Sequence, residues 1–332
     1  MDTPLLMVLL SVISGFVLAL TLGHFLIPAL RALKAGQSIR EVGPKWHNGK
    51  QGTPTMGGLM FIAASALCAM TGWYAMRKTG DYSHLLVLAL AVMFGLIGFY
   101  DDFIKVKKKR NLGLTGLQKL VLQVLAAGVF LLLMYLTDSL HYELYIPFVK
   151  EPIAHVPPIL YLAVAVFVIV GCVNAVNLTD GIDGLASGVT MPVMLFFTLV
   201  AMSMKKLGLA TFPAALLGGL AGFLFYNFYP AKVFMGDTGS LFLGGAVVGL
   251  AFALDMPLVL LFVGLIYIIE TLSDILQVGY FKLTHGKRIF KMAPIHHHFE
   301  MCGWSEKKIW TVFVLTTVVM CVIAWFGVLI WF

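Results

Sequence analysis

Charged side chains are scarce in this chain of 332 residues: Asp, Glu, Lys and Arg make up 12% of it, whereas hydrophobic residues make up 60%. The mean hydropathy of +0.94 excludes a soluble globular protein and is typical of a polytopic helical membrane protein. Alternating strand patterns are also missing, which excludes an outer-membrane barrel. Cysteines are few, and Cys68, Cys172, Cys302 and Cys321 lack paired spacing, so neither disulfides nor a zinc site is expected.

Ten apolar runs approach or exceed the length that spans a bilayer, and together they predict a single all-α membrane domain over residues 1–332. The predicted spans are 4–30, 53–76, 82–100, 119–137, 157–176, 185–204, 207–229, 238–254, 256–281 and 309–332. The ninth is unusual because Met256–Ile269 supplies only 14 residues before Glu270 and Asp274 interrupt it. We therefore expect a helix that breaks, bends or leaves the bilayer near these acids.

Basic residues are distributed unevenly over the loops between these spans. When the loops are assigned alternately to two sides, one side receives all Lys and Arg residues except Arg77, Lys78, Lys150, Lys205 and Lys206. The positive-inside rule makes the basic side cytoplasmic and places both termini outside. The net charge of +7 is then explained by membrane topology and by contacts with anionic lipid or phosphate, so no nucleic-acid partner is expected.

The acids and amides that do occur collect in short motifs on the predicted cytoplasmic side. The stretch Asn174–Leu185, N-A-V-N-L-T-D-G-I-D-G-L, lies between two uncharged, membrane-length segments. Ionised groups are costly at such a place and therefore indicate a functional site. If the turn is helical, Asp180 and Asp183 share one face at i, i+3. A solvated connecting loop is the alternative.

Two further acidic motifs border the membrane on the same side. Asp101 and Asp102 end the third span, and like charges this close raise the proton affinity of one carboxylate, which suits a general base. Asp237 lies in the glycine-bracketed turn Gly236-Asp-Thr-Gly239, where a carboxylate suits Mg²⁺. The alternatives are an ordinary helix C-terminus for the first motif and an ordinary helix N-cap for the second.

An internal run of three histidines, His296–His298, follows Pro294 and could donate protons to phosphate oxygens near neutral pH. A solvated loop is again the alternative. Acidic motifs and a histidine run on one face of a ten-span protein, with the basic excess beside them, predict Mg²⁺-dependent chemistry on a phosphorylated substrate from the cytosol. The expected co-substrate resides in the bilayer.

Five motifs together resemble those of the polyprenyl-phosphate N-acetylhexosamine-1-phosphate transferases. They are GTPTMGG (52–58), DDFIK (101–105), NAVNLTDGIDGL (174–185), FMGDTGS (234–240) and APIHHHFE (293–300). The three histidines followed by Phe-Glu favour the phospho-N-acetylmuramoyl-pentapeptide transferase branch over the N-acetylglucosamine branch. The resemblance implies a bacterial inner-membrane enzyme with a cytoplasmic active site. It would use Mg²⁺ to transfer phospho-MurNAc-pentapeptide from UDP-MurNAc-pentapeptide to undecaprenyl phosphate, giving lipid I and UMP.

The resemblance also implies roles for individual residues. Asp237 is similar to the principal Mg²⁺ ligand and Asn177 to a second one, while Asp101 and Asp102 are similar to acids that deprotonate or orient the lipid phosphate. Asp180 and His296 are similar to further active-site residues. The residues similar to substrate contacts are Lys50, Thr55, Lys105, Lys119, Asn177, Asp183, Asn227, Phe234, His297 and His298, with Phe234 as the ring that stacks on uracil.

Direct attack of the lipid phosphate on the β-phosphate of the UDP-sugar is the expected mechanism, and a two-step route through a phospho-aspartate at Asp101 or Asp102 stays open. The nearest alternative function is a sister transferase that uses UDP-GlcNAc or another UDP-N-acetylhexosamine. An ion-coupled transporter is a remoter alternative, since it predicts acids at mid-membrane and an internal repeat of the spans. A monomer and a homodimer are both compatible with the sequence.

Overall fold

The computed structural model describes residues 3–33, 50, 52–76, 82–108, 110, 112–152 and 156–331, with the backbone alone for 3 and 71–76. These residues form α-helices joined by short connections and contain no β-strand, which confirms the all-α class. The helices are α1 (Thr3–Ala32), α2 (Leu59–Met76), α3 (Ser83–Lys108), α4 (Gly116–Leu136), α5 (Pro158–Thr179), α6 (Leu185–Ser203), α7 (Leu207–Asn227), α8 (Gly236–Ala253), α9 (Leu260–Val263), α10 (Leu265–Leu283), α11 (Ile295–Met301) and α12 (Glu306–Val328).

Within the described ranges, eight helices are long and apolar enough to cross a membrane: α1, α3, α4, α5, α6, α7, α8 and α12. The second predicted span corresponds to α2, whose segment Leu59–Met70 is a shorter apolar helix. The ninth is a bent pair that adds one crossing if the pair is a single span. The polytopic class is therefore confirmed. The number of ten crossings and the orientation of the termini stay predictions. Part of the evidence for that orientation comes from basic residues outside the described ranges: Lys34, Arg40, Lys45, Arg77, Lys78 and Lys109.

The bend in the ninth span lies earlier than the sequence predicted. Pro257–Val263 and Leu265–Leu283 meet at an angle of 81° around Gly264. Glu270, which was expected to interrupt the helix, instead lies well inside α10. It is 0% exposed, and because its side chain faces protein instead of lipid, the helix continues past it without a break.

Close packing of α3 against α8 brings two of the predicted motifs together. Gly98 of α3 faces the start of α8 so closely that a Cβ at residue 98 would overlap the carbonyl oxygen of Asp237. Glycines at such positions allow two membrane helices to approach each other. Because α3 continues to Lys108, beyond the predicted end of the span at residue 100, its acids stay on a rigid helix beside α8.

Two connections complete this end of the bundle. The turn before α2 pairs with the segment before α8, since Phe234 N donates to Pro54 O at 2.8 Å and Gly57 N donates to Phe234 O at 2.8 Å. At the start of α12, Trp310 Nε1 donates to Gly184 O at 3.0 Å and so holds the turn between α5 and α6. The motifs that are far apart in sequence therefore converge at one end of the helices.

Candidate active site

Three carboxylates from α3 and α8 form a cluster at this end of the molecule. Asp101, Asp102 and Asp237 each offer an oxygen within 4.8 Å of the others. Asp102 Oδ2 accepts hydrogen bonds from Thr238 N at 2.9 Å and from Thr238 Oγ1 at 2.7 Å. Asp101 Oδ1 accepts one from Leu114 N at 2.7 Å. Both acids of α3 are 2% exposed, so they are not the solvated helix end that was the alternative interpretation.

Two lysines lie among these carboxylates. Lys105 Nζ is 2.6 Å from Asp101 Oδ2 and 2.9 Å from Asp237 Oδ2. Lys119 Nζ is 2.7 Å from Asp237 Oδ2 and 3.7 Å from Asp101 Oδ2. The two positive charges do not fully balance the three negative ones, which leaves the cluster attractive to a cation.

Asn177 lies beside Asp237, and the role of the two residues as ligands of one metal ion stays a prediction. Its Nδ2 donates to Asp237 Oδ1 at 3.0 Å and to Ser240 Oγ at 2.7 Å. The orientation of an amide is inferred from its hydrogen-bond network. Half a turn about the last side-chain bond would direct the amide oxygen of Asn177 to the same point, so the residue can serve either as a donor or as a ligand.

The connection between α5 and α6 is a turn instead of a helix. Asp180 caps α5 with φ −80° and ψ 52°, so it does not share a helix face with Asp183, contrary to the arrangement considered from the sequence. Burial and the nearby charges of Asp237, Asp102 and Asp183 raise the pKa of Asp180 to about 8. Asp180 therefore lies within the electrostatic field of the carboxylate cluster.

The raised pKa of Asp180 predicts a pH-dependent stability in magnesium-free protein. The folded state keeps a proton on Asp180 up to a pKa of about 8, whereas the unfolded state releases it near 3.8. Raising the pH between these values therefore favours unfolding. We expect the melting temperature of the wild type in detergent without Mg²⁺ to fall across this pH range. The melting temperature of Asp180→Asn should fall less steeply. Asp138→Asn, at an exposed residue, is the control and should keep the wild-type slope; an identical slope in Asp180→Asn would contradict the prediction.

Asp183 belongs to a second group of charges, next to the carboxylate cluster. Lys50 Nζ is 2.7 Å from Asp183 Oδ1 and 2.7 Å from Glu306 Oε2. Asp183 Oδ2 accepts from Ala231 N at 2.8 Å. Burial lowers the pKa of Lys50, but hydrogen bonds and charge from Asp183 and Glu306 outweigh it, so the pKa is raised above 10.5 and the ammonium stays charged. This group links the turn between α5 and α6 to the start of α12.

One member of the histidine run, His296, points at the turn between α5 and α6. His296 is buried beside Gly181, where a Cβ would overlap its Nε2. His297 Nδ1 lies 2.6 Å from Glu300 Oε2 within the same helix. His298 Nδ1 accepts from Lys291 N at 3.1 Å. Substrate contacts by His297 and His298 stay predictions.

The residues predicted to hold the nucleotide lie around the segment before α8. Phe234 is half-buried, and its backbone is paired with the turn before α2 as described above. Asn227 is 1% exposed, and its amide donates to Val233 O at 2.9 Å and accepts from Ser187 Oγ at 3.3 Å. Thr55 is buried beside Gly236. The geometry of Asn227 and Thr55 is that of residues that position the Phe234 segment.

Several residues of the site did not stand out in the sequence. Thr238 and Ser240 could be recognised only as part of a helix start, and Trp310 only as an interfacial aromatic. Glu270 was interpreted as an interruption of a span, although an acid within an apolar run was the available signal. Glu306 gave no signal because its partners, Lys50 and Asp183, are distant in sequence. The residues missed are therefore those whose role depends on a distant partner.

Comparisons with known proteins find matches that cover nearly the whole chain. Residues 84–255 match the profile of glycosyl transferase family 4, and residues 50–62 match phospho-N-acetylmuramoyl-pentapeptide-transferase signature 1. The chain is 48% identical over 322 residues to a phospho-N-acetylmuramoyl-pentapeptide-transferase of Clostridium acetobutylicum, covering 97% of this chain and 99% of that protein. It is 47% identical over 322 residues to the protein of that name from Carboxydothermus hydrogenoformans, covering 96% and 97%.

Proposed function

Because the chain belongs to glycosyl transferase family 4 and, within it, to the phospho-N-acetylmuramoyl-pentapeptide transferases, we propose that the carboxylate cluster of α3 and α8 is the centre of its active site. The chain is a transferase of peptidoglycan synthesis that transfers phospho-N-acetylmuramoyl-pentapeptide. We assign UDP-MurNAc-pentapeptide as the donor, undecaprenyl phosphate as the acceptor, and lipid I and UMP as the products. The convergence of Asp101, Asp102 and Asp237 within 4.8 Å is the observation that carries this proposal.

Magnesium is the cofactor that we assign to this cluster. Carboxylate and amide oxygens are the ligands that Mg²⁺ prefers, and the three acids with Asn177 beside them supply such a set. Asp237 and Asn177 would hold the ion, with Asp101 and Asp102 within reach. Bound Mg²⁺ supplies positive charge to the phosphate oxygens of the reactants. The lysines Lys105 and Lys119 face the same point and would share that role.

The residues of α3 favour positioning over covalent catalysis. A phosphate monoester has a second pKa near 6 and is largely dianionic at neutral pH, so a base has little proton to remove from the acceptor. Asp101 already binds Leu114 N and Lys105, and Asp102 already binds Thr238. These contacts orient both carboxylates and compete with a nucleophilic role. We therefore propose direct in-line attack of the lipid phosphate on the β-phosphate of the donor, with UMP leaving.

Incubation with radiolabelled UDP-MurNAc-pentapeptide in the absence of lipid acceptor tests the mechanism. Direct attack predicts that no phospho-sugar label stays on the denatured protein. Label that is retained by the wild type and lost in Asp101→Asn or Asp102→Asn would demonstrate the two-step route through a phospho-aspartate.

The nucleotide pocket that we propose lies between Phe234 and the charge group around Asp183. The Phe234 ring is half-buried and leaves part of its surface available for a base. Lys50 is held by Asp183 and Glu306, and its ammonium would contact an anionic nucleotide by exchanging one of these carboxylates for a phosphate oxygen. The acceptor tail would lie against the apolar faces of α5 and α10, which pack on each other and expose residues such as Phe167 and Leu272.

Replacement of Phe234 by Ala should chiefly weaken nucleotide binding. Loss of base stacking costs about 1–3 kcal/mol, which corresponds to a Kd for UMP that is about 5- to 150-fold higher. Titration of UMP into the purified protein measures this change. Phe225→Ala is the matched control, because that ring is 66% exposed on the outer surface of α7 and should leave the Kd unchanged. An unchanged Kd in Phe234→Ala would refute the stacking role.

The deciding experiment for the assigned reaction uses the purified full chain in detergent. With UDP-MurNAc-pentapeptide, undecaprenyl phosphate and Mg²⁺ we expect both UMP and lipid I, and chelation of the metal should stop the release of UMP. A second assay with UDP-GlcNAc as the donor distinguishes the assigned reaction from the sister-transferase alternative, which predicts UMP release from UDP-GlcNAc instead of UDP-MurNAc-pentapeptide. The ion-coupled transporter alternative predicts no UMP from either donor.

A further inference from the structure

A buried carboxylate–imidazole pair lies behind the candidate active site, and the mechanism proposed above assigns no role to its carboxylate. Glu270 of α10 and His296 of α11 are both 0% exposed. Glu270 Oε2 lies 2.9 Å from His296 Nδ1. The two residues are 26 positions apart in sequence, so the pair exists only because the fold brings α11 back against α10.

The second nitrogen of His296 faces the active site. Among the described residues, His296 Nε2 is buried without a hydrogen-bond partner. It approaches Gly181 so closely that a Cβ there would overlap it. Gly181 directly follows Asp180, so Nε2 points at the turn that also carries the predicted active-site acids. A buried polar atom without a partner normally finds one in water or a ligand.

The bent helix α10 acts as a scaffold for the segment that carries His296. Its inward face presents a stripe of buried polar side chains, Glu270, Ser273 and Gln277. Gln277 Oε1 accepts hydrogen bonds from Ile289 N at 3.1 Å and from Phe290 N at 2.9 Å. The stripe therefore holds the segment 289–296 at two places: Gln277 binds the backbone amides of Ile289 and Phe290, and Glu270 binds the imidazole of His296.

The chemistry of the pair explains what Glu270 can contribute. When Glu270 Oε2 acts as the acceptor of this contact, it selects the form of His296 that carries a proton on Nδ1 and leaves Nε2 as an acceptor. A buried carboxylate beside a neutral ring gains little net stability, because the cost of removing the carboxylate from water offsets the hydrogen bond that it forms. Orientation of the ring is then the main consequence of the contact, as it is for carboxylates that fix metal-bound histidines.

We infer that Glu270 is a positioning residue: it fixes the ring plane and the Nδ1–H tautomer of His296, so that Nε2 accepts a hydrogen bond from a hydroxyl or amide group of the substrate beside Gly181. The inference rests on the proposed function and on the expectation from the sequence that His296 is an active-site residue. Glu270 itself does not touch the reactants.

A double-mutant cycle on UMP release by the full chain tests this inference. Glu270→Ala should lower kcat by about 10- to 100-fold, the usual effect of removing a carboxylate that orients a functional histidine, while the KM for the donor changes by less than about threefold. His296→Ala should have a similar effect. The double variant should be no slower than His296→Ala alone, because Glu270 acts only through that ring. Glu270→Gln keeps an acceptor for Nδ1–H and should restore most of the turnover.

Gln277→Ala is the matched control on the same face of α10. It removes support from Ile289 and Phe290, so its effect should appear as a lower melting temperature and be the same in the wild-type and His296→Ala backgrounds. The inference is overturned if Glu270→Ala slows the His296→Ala enzyme by the same factor as the wild type, or if Glu270→Gln is no faster than Glu270→Ala. If His296→Ala turns over at the wild-type rate, His296 does not contact the substrate in the reaction, and the positioning role of Glu270 is overturned with it. If His296→Ala slows turnover and Glu270→Ala does not, the positioning role of Glu270 is overturned and the substrate contact of His296 is kept.

Discussion

Asp237→Asn should lower the Mg²⁺-dependent release of UMP by roughly 10³-fold, because a metal ion that neutralises phosphate charge is worth several kcal/mol in the transition state. Asn is nearly isosteric with Asp, and its oxygen can still accept hydrogen bonds from Lys105 and Lys119, which lie 2.9 and 2.7 Å from Asp237 Oδ2. The fold should therefore survive. The measurement is turnover as a function of Mg²⁺ concentration, with the melting temperature recorded beside it.

Asp255→Asn provides the control for this prediction. Asp255 also accepts from basic side chains, with His141 Nδ1 at 2.9 Å and Lys206 Nζ at 3.9 Å, but it lies beyond the opposite end of α8 from Asp237. The two substitutions remove the same charge at the two ends of one helix. Asp255→Asn should keep wild-type turnover. Near-normal activity of Asp237→Asn, or an equal loss in both variants, would show that the carboxylate cluster is not the metal site.

The sequence was sufficient to predict the all-α membrane class and the motifs of the site. Both predictions depend on the scarcity of charge: against 60% hydrophobic residues, each acidic motif stands out, and long uncharged runs define the helices. The convergence of Asp101, Asp102 and Asp237 confirms that motifs from separate helices meet at one place. Which of the site residues act on substrate stays a prediction, since it depends on ligands.

The break in the ninth span shows where this approach fails. The acids of α10 were expected to end the helix, on the assumption that its surroundings are lipid. Glu270 faces His296 instead, and the bend occurs at Gly264, after a short helical segment that begins at Pro257. Hydropathy averages the two faces of a helix, so it cannot distinguish an acid that faces a protein partner from one that faces lipid.

Ion pairs between distant segments were the other feature that the sequence could not supply. The contact of Lys50 with phosphate or sugar stays a prediction, and nothing in the sequence indicated that its ammonium lies between Asp183 and Glu306. Asp180 and Asp183, which look equivalent in the motif, belong to different groups because the turn between α5 and α6 is not helical. Local spacing predicts which residues are neighbours on a helix, whereas the pairing of separate loops depends on tertiary packing.

Gly98→Ala is expected to damage both stability and turnover, although residue 98 carries no functional group. A methyl group there would overlap the carbonyl oxygen of Asp237, and backbone in a packed helix pair cannot move aside as a flexible side chain can. Overpacking of this kind costs about 1–3 kcal/mol. Separation of α3 from α8 would also move Asp101 and Asp102 away from Asp237, and a displacement of about 1 Å can cost roughly 10²-fold in rate.

Gly95→Ala, one turn earlier on the same face of α3, is the matched control. Its nearest neighbours are Cβ and Cδ2 of Phe242, both 3.3 Å from the added methyl group, and this side chain can shift by a few tenths of an ångström. We expect Gly95→Ala to keep turnover within about threefold of the wild type, because a shift of Phe242 by a few tenths of an ångström is far smaller than the displacements of about 1 Å that cost roughly 10²-fold in rate. The melting temperature and the rate of UMP release, measured for both variants, separate the two cases. If Gly98→Ala behaves like Gly95→Ala, close contact between α3 and α8 is not what assembles the carboxylate cluster.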